Sequence, residues 1–291
     1  FFIGIGGSYE GPKLLNQISG ATFTKNFNFN FITGSDPAEF KYKTFNAIPE
    51  HSVFIICSKS FTTDETIDLL NKALKWSRNN SEFIAVTANP KKAKEHKISN
   101  IIEFDNEIGG RYSIWSQIGE LSTTQDVFKD FLLGGFQSDH DLQNDESYLR
   151  FVKTLSYSDI WLNNKINKNV RSVLSYIWEF RTFSDYVQQL EMESLGKRPS
   201  EESQFTNTGQ IVFGGYGPRA QHSYFQLLHQ GTQDVCADII ATREDENVLS
   251  YAQAVTQAKL LSQGTEDIVQ KEEKVNGNVP LNLFLINKAD P

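Results

Sequence analysis

Short apolar segments alternate with segments of helical period along the whole chain, and that alternation constrains the fold more than any other feature. FFIGI (1–5), NFNFNFI (26–32), SVFIIC (52–57), EFIAVT (82–87) and IIEF (101–104) are apolar or β-branched runs of strand length. Between them, TDETIDLLNKALKWSRN (63–79) carries its apolar residues at helical spacing. A second series follows, with strand-like NVRSVLSYIW (169–178), IVF (211–213), DVCADIIA (234–241) and LNLFLI (281–286). Helical patterns separate these strands at TFSDYVQQLEMES (182–194), RAQHSYFQLLHQ (219–230) and LSYAQAVTQAKLLSQ (249–263). Strands that alternate with helices predict an α/β protein whose mostly parallel sheets are flanked by helices on both faces, in three layers. From Tyr112 to Asn169 the chain reads mostly helical, as YSIWSQIG, DVFKDFLLGGFQ and ESYLRFVKTLSYSDIWLNNKI, which places a seam between two lobes there. KEEKVNGN (271–278) reads as a polar loop.

Composition limits the partners. A chain of 291 residues that is 39% hydrophobic can bury one large core or two ordinary ones. Its formal charge of −8, with basic residues scattered, gives no footprint for nucleic acid or an anionic membrane. Any anionic ligand must therefore be met by a local site. No stretch approaches the 18 apolar residues of a membrane span, and the opening FFIGIGG lacks the basic flank and long apolar core of a signal peptide. A cytoplasmic location is expected. The two cysteines, Cys57 and Cys236, lie in apolar strand-like runs, where reduced, buried thiols are expected rather than a disulfide. The first strand begins without a preceding turn and LNLFLINKADP closes just past another, so further chain is expected beyond both ends.

Two stretches carry the signature of a ligand site. GIGGS (4–8) leaves a strand and enters a helical segment, and its glycines let backbone N–H groups approach an anion at the helix start. The spacing fits neither the dinucleotide fingerprint nor the phosphate loop of nucleotide-binding proteins, and a tight turn without a ligand is the alternative. SKSFTTDET (58–66) puts five hydroxyl side chains and one lysine where a strand gives way to a helix. Ser58, Lys59, Ser60 and Thr63 suit a dianionic phosphate. The alternative is a simple helix cap by Thr62 or Thr63, with Asp64 or Glu65 favouring the dipole.

Three more stretches complete a set. GGRYSIWS (109–116) holds Arg111, QQLEMESLGK (188–197) holds Gln189 and Glu193 at i, i+4 on one helical face, and QHSYFQLLHQGT (221–232) holds His222. Together, GIGGSxxGP, SKSFTTDET, GGRYSxWS, QQLxMESxGK and QHSYFQLLHQGT resemble, in this order, the glucose-6-phosphate isomerase family of two sugar-isomerase lobes. The resemblance runs from residue 4 to residue 232. It implies a first, smaller lobe over 1–120, and over 121–291 the helical seam with a larger second lobe whose C-terminal part is incomplete.

The resemblance also implies an activity, the reversible isomerisation of glucose 6-phosphate to fructose 6-phosphate through a cis-enediol(ate), within glycolysis and gluconeogenesis. Such a reaction needs a base, a ring-opening acid, an oxyanion stabiliser and a phosphate anchor. By resemblance Glu193 is the base, a role suited to a carboxylate partly withdrawn from water. His222 opens the ring from across a homodimer interface, and Arg111 is the cation beside the enediolate. Gly7, Ser8, Gly110 and Gln189 contact the sugar, while Ser58, Lys59, Ser60 and Thr63 cradle the phosphate. No metal and no organic cofactor is implied.

Some positions depart from the family pattern. Ser60 stands where threonine is usual and keeps the hydroxyl. Glu10 stands where an apolar residue is usual, and Arg219–Ala220 replace a small polar pair. A C-terminal segment that in the family brings a lysine and a glutamine to the site has no counterpart among these residues. Retention of MESLGK argues against a sugar-phosphate sensor built on the same lobes, and its pairing with QHSYFQLLHQGT argues against an amino-sugar phosphate isomerase.

Overall fold

A computed structural model describes residues 1–20, 27–205, 207–244, 248–265 and 270–290. They divide into two compact units, Phe1–Leu132 and Leu133–Pro291.

In the first unit, five parallel strands form one sheet: β1 (Phe2–Ile3), β2 (Phe31–Ile32), β3 (Val53–Cys57), β4 (Glu82–Thr87) and β5 (Asn100–Glu103), in the order β2-β1-β3-β4-β5. Parallel neighbours require crossover connections. Helices α1 (Gly7–Ile18), α2 (Pro37–Thr44), α3 (Asp64–Ser77) and α4 (Pro90–Glu95) lie in those connections. Successive strand residues face opposite sides, so a sheet covered on both faces needs continuous apolar runs. Ile3, Phe54, Ile56 and Ala85 accordingly join one core with Leu69, Leu70 and Ala73 of α3. Phe2, Cys57 and Val86 join a second core with Phe104 and Ile118.

Two expected strands are shorter than their apolar runs. FFIGI pairs only over Phe2–Ile3, because the glycine turn follows at once and Gly6 takes φ 57°. β2 pairs only with β1, so it can extend no further than that two-residue partner, and pairing within NFNFNFI is confined to Phe31–Ile32. Asn26 lies outside the described residues. Two helices appear where periodicity gives little signal. Both α2 and α4 open with proline at their first turn, and the preceding Asp36 and Asn89 side chains accept hydrogen bonds from the Ala38 and Lys92 amides.

The intervening region is helical, as the sequence predicts. A 3-10 helix over Gly110–Trp115 leads into α5 (Gln117–Glu120), α6 (Gln125–Asn144) and α7 (Glu146–Asn164). Asp145 caps α7 by accepting from the amides of Ser147 and Tyr148, and the hydrogen bond from the Ser147 hydroxyl, with those two, lowers its carboxyl from the ordinary value.

In the second unit, β6 (Val170–Ser175), β7 (Ile211–Tyr216), β8 (Val235–Thr242) and β9 (Leu281–Ile286) form a parallel sheet in the order β7-β6-β8-β9. Helices α8 (Phe183–Leu195), α9 (Gly217–Ala220), α10 (Phe225–Gln230) and α11 (Val248–Gln263) accompany it. Leu174 and Ile239 pack with Ala254, Ala258 and Leu261 of α11, while Val173, Val212 and Ile240 pack with Val187 of α8. Where the period predicts one helix over 219–230, two short helices form. The His222 and Ser223 amides bond back three residues, to Arg219 and Ala220, and this tight turn ends α9 before α10 begins. KEEKVNGN holds a 3-10 turn over Lys271–Glu273 and is otherwise without helix or strand. Both cysteines are buried and free, and burial raises the Cys57 thiol well above its ordinary value and the Cys236 thiol to about 11.

Candidate active site

Winding order locates the crevice of the first sheet. The connection from β1 leads to β2 on one side, whereas β3, β4 and β5 continue on the other, so the order reverses between β1 and β3. In open parallel sheets such a switch point opens a crevice beyond the carboxyl ends of the strands. Ile3 of β1 pairs with Ile56 of β3, so GIGGS and SKSFTT leave neighbouring strands at this edge.

The glycines permit close backbone contact. Gly7, half-buried like Ser8, opens α1, and a Cβ built on it would overlap the Gly110 carbonyl. The first glycine stretch and the GGRY stretch therefore meet, and Arg111, half-buried, follows directly in the 3-10 helix. Around Gly110 itself the Cβ position is open.

The hydroxyl-rich loop is shaped by its own side chains. Buried Ser58 accepts from the Phe61 amide at 3.1 Å. Ser60 accepts from the Thr62 amide at 3.2 Å and from the Thr62 hydroxyl at 2.8 Å. Hydroxyls that accept in this way keep their own proton free to donate. Lys59 is tied through its carbonyl to Ala88 N at 3.1 Å and Thr87 Oγ1 at 3.1 Å, while among the described residues its Nζ has no hydrogen bond or ion pair. Phe61 supplies the sharp bend, at φ 54° with its ring buried. Thr63 occupies the cap position of α3 without a side-chain capping bond, so capping does not account for its hydroxyl. The first turn of α3 carries Asp64 and Glu65, which offset part of the helix dipole and leave the loop's donors and Lys59 as the attraction for an anion.

The remaining predicted residues lie in the second unit. Gln189 donates from its amide to the Glu193 carboxylate on the face of α8, as the i, i+4 spacing implies. Glu193 is exposed, in contrast with the sheltered carboxylate expected of a base, and His222 is exposed in the tight turn after β7. The unit does not bring these two together. Gln188 donates to the Val212 carbonyl at 2.8 Å and Met192 sulfur accepts from the Val212 amide at 3.4 Å, which pins the last turns of α8 to the start of β7. His222 follows the other end of that strand, which lies about 13 Å from Val212 for the four steps to Tyr216 at about 3.3 Å each.

One charged group in this unit carried no sequence prediction. Arg171, 4% exposed, sits on β6 with Asp159 at 2.9 Å, with Glu191 in a short contact and with Asp238 at 3.6 Å. Burial opposes its charge, yet hydrogen bonding to Glu191 and the surrounding carboxylates raise the guanidinium above its ordinary value. Burial also pushes Asp238 upward, although Asn282 donates to it at 2.8 Å. The signal was present in the sequence as two charges, Arg171 and Asp238, inside apolar strand runs. Among the described residues no group of three or more His, Cys, Asp or Glu side chains is placed to hold a metal ion, and no helix is long and apolar enough to cross a membrane.

The phosphoglucose isomerase family model matches residues 1–288. The chain belongs to the phosphoglucose isomerase family. A glucose-6-phosphate isomerase of Legionella pneumophila (strain Lens) is 33% identical over 298 residues, covering 99% of this chain and 60% of that protein. A glucose-6-phosphate isomerase of Acinetobacter baylyi is 31% identical over 333 residues with the same coverage. The crystal structure of a glucose-6-phosphate isomerase from Chlamydia trachomatis superimposes with a TM-score of 0.88 at 24% identity, over 100% of this chain and 60% of that one. That likeness establishes the shared fold, two parallel sheets flanked by helices. The chain thus spans about three fifths of the length of the phosphoglucose isomerases it matches.

Proposed function

We propose that the protein interconverts glucose 6-phosphate and fructose 6-phosphate through a cis-enediolate. The observation that carries this reading is the carboxyl edge of the first sheet, where a glycine turn in backbone contact with Gly110 lies at the switch point beside a hydroxyl-rich loop with a lysine. Ser58, Lys59, Ser60 and Thr63 hold the phosphate, and Gly7, Ser8, Gly110 and Gln189 hold the sugar. Binding the remote phosphate lets its interaction energy position the reacting carbons.

The chemistry is proton transfer. His222 donates a proton to the ring oxygen, and the O1 hydroxyl proton returns to its imidazole through solvent, as the ring opens to the free aldehyde. The Glu193 carboxylate then takes the C2 proton, the C–H electrons form the C1–C2 double bond, and the carbonyl electrons move onto O1. Arg111, planar and permanently charged, stabilises that oxyanion without exchanging a proton itself. Glu193 returns its proton to C1, the O2 hydroxyl proton passes to O1 as O2 becomes the new carbonyl, and ring closure reverses the first step. The balance involves protons only, so no redox cofactor enters it. Separation of Glu193 from His222 within the second unit supports a homodimer in which His222 serves the partner's substrate. A cytoplasmic enzyme acting at this step of sugar-phosphate metabolism completes the proposal.

The test is conversion of fructose 6-phosphate to glucose 6-phosphate by the intact natural protein, coupled to a dehydrogenase, with Glu193→Gln beside it. Activity that falls by roughly 10²- to 10⁴-fold in the variant supports the reading. A protein that binds the sugar phosphate and converts none of it would overturn the enzyme in favour of a sensor.

A further inference from the structure

The two glycine turns of the first unit are joined by a side chain to which the proposed chemistry gives no role. Ser113, 2% exposed, lies in the 3-10 helix, and its hydroxyl sits 2.8 Å from the Gly7 carbonyl and 2.7 Å from the Gly110 carbonyl. A hydroxyl has a single proton, so one donor is shared between two acceptors that belong to different parts of the chain. Gly7 and Gly110 are also the residues whose backbones touch, a contact that the missing Cβ of Gly7 permits. Each carbonyl belongs to the peptide group that leads into the next residue, Ser8 in one case and Arg111 in the other. A planar peptide turns as one body, so pinning its oxygen fixes the direction of the residue that follows.

We infer that Ser113 is a positioning residue, a clamp that fixes Ser8 and the Arg111 guanidinium relative to each other for the sugar end of the substrate. The inference rests on the sugar-phosphate reading of this edge. It separates the sugar end from the phosphate end. The cradle is shaped independently, by the Ser58 and Ser60 hydroxyls and by the ties from the Lys59 carbonyl to Ala88 and Thr87. Loss of the Ser113 hydroxyl therefore loosens the grip on the sugar and on the developing oxyanion and leaves the grip on phosphate intact.

Ser113→Ala in the intact natural protein tests this, with KM and kcat for fructose 6-phosphate measured alongside inhibition by inorganic phosphate and thermal melting. One shared hydrogen bond predicts a drop in kcat/KM of about fivefold to tenfold, with part of it in kcat, while the inhibition constant for phosphate changes less than about twofold. Ser113→Cys keeps a weak donor at the same place and recovers part of the loss. Unchanged kcat and KM in Ser113→Ala, or an equal weakening of phosphate and sugar phosphate together with a lower Tm, would overturn the clamp. A natural protein that binds inorganic phosphate but neither converts nor binds the sugar phosphate would instead remove the sugar-phosphate reading, and the clamp's role with it.

Discussion

The first sheet leaves β1 through Gly4, Gly6 and Gly7, whereas the second leaves β6 through Tyr176, Ile177 and Trp178. Both sheets reverse their order beside their first strand, so the same winding offers each of them a crevice at its carboxyl edge. What fills that edge differs. In the first unit the space that a Cβ on Gly7 would claim is occupied by backbone, the Gly110 carbonyl, and the neighbouring loop leaves Ser60, Thr62 and Thr63 exposed. In the second unit a Cβ on Gly217 would run into the buried Tyr176 ring. Trp178 stands edge-on to Tyr216 at 5.4 Å and carries the Arg181 guanidinium 4.4 Å above its own ring. A glycine that admits backbone leaves polar groups near a ligand, while a glycine that admits an aromatic ring closes the edge. Topology thus supplies two comparable positions, and side-chain volume leaves only the first edge open to backbone polar groups. The second unit keeps Glu193 and His222 exposed, on a helix face and in a turn, and buries Arg171 among partly exposed carboxylates.

The largest effect expected from disturbing this contrast lies in the Arg171 cluster. Arg171→Met leaves Asp159, Glu191 and Asp238 without their cation. Asp159 and Glu191 stay about a third exposed and keep part of their hydration, so the loss falls at the low end of the range of about 3–5 kcal/mol for breaking a buried ion pair. Hydrogen exchange should show protection lost in β6 and β8 and retained in β3 and β4; equal loss in both sheets would deny that the cluster belongs to the second unit's stability alone. A smaller effect is expected at the glycine contact. Gly7→Ala forces apart two backbones that touch, for about 1–3 kcal/mol of overpacking, whereas Gly110→Ala meets open space and should melt like the parent. If both variants melt alike, the contact does not hold the edge together.

The smallest effect concerns Asp238. Its carboxyl sits above the ordinary value of 3.8 in the folded chain, chiefly through burial, so its contribution to stability is full below that value and is lost as pH rises through the folded one. Asp238→Asn should therefore raise Tm slightly at pH 7 and lose its advantage in acid. A lower Tm at pH 7 would mean that attraction to Arg171 outweighs burial.

Much of the architecture was legible because strands buried on both faces must be apolar throughout, as SVFIIC and EFIAVT are. Strand lengths were less so. An apolar residue such as Ile5 looks the same whether it pairs or turns, and only the φ of Gly6 ends β1. Helices α2 and α4 were hidden by their shortness but announced by Asp36-Pro37 and Asn89-Pro90, whose capping chemistry is local. At the candidate site, spacing alone foresaw the Gln189–Glu193 contact, since i and i+4 are neighbours on any helix. The meeting of Gly7 with Gly110 and the bridging by Ser113 were not legible, because contacts between residues a hundred positions apart depend on where the strands carry them. The Arg171 cluster was half-legible, as two charges in apolar runs whose partners on α7 and α8 no local pattern reveals.

If the first unit's glycine edge binds a sugar phosphate and Glu193 moves the proton, deuterium from heavy water enters C2 of glucose 6-phosphate. NMR follows that exchange for the intact natural protein and for Glu193→Gln, with binding measured on both. Exchange is expected in the parent and none in the variant on the same timescale, with sugar-phosphate affinity retained. Exchange that persists undiminished in Glu193→Gln, or a parent that binds the sugar phosphate and exchanges nothing, would contradict this reading.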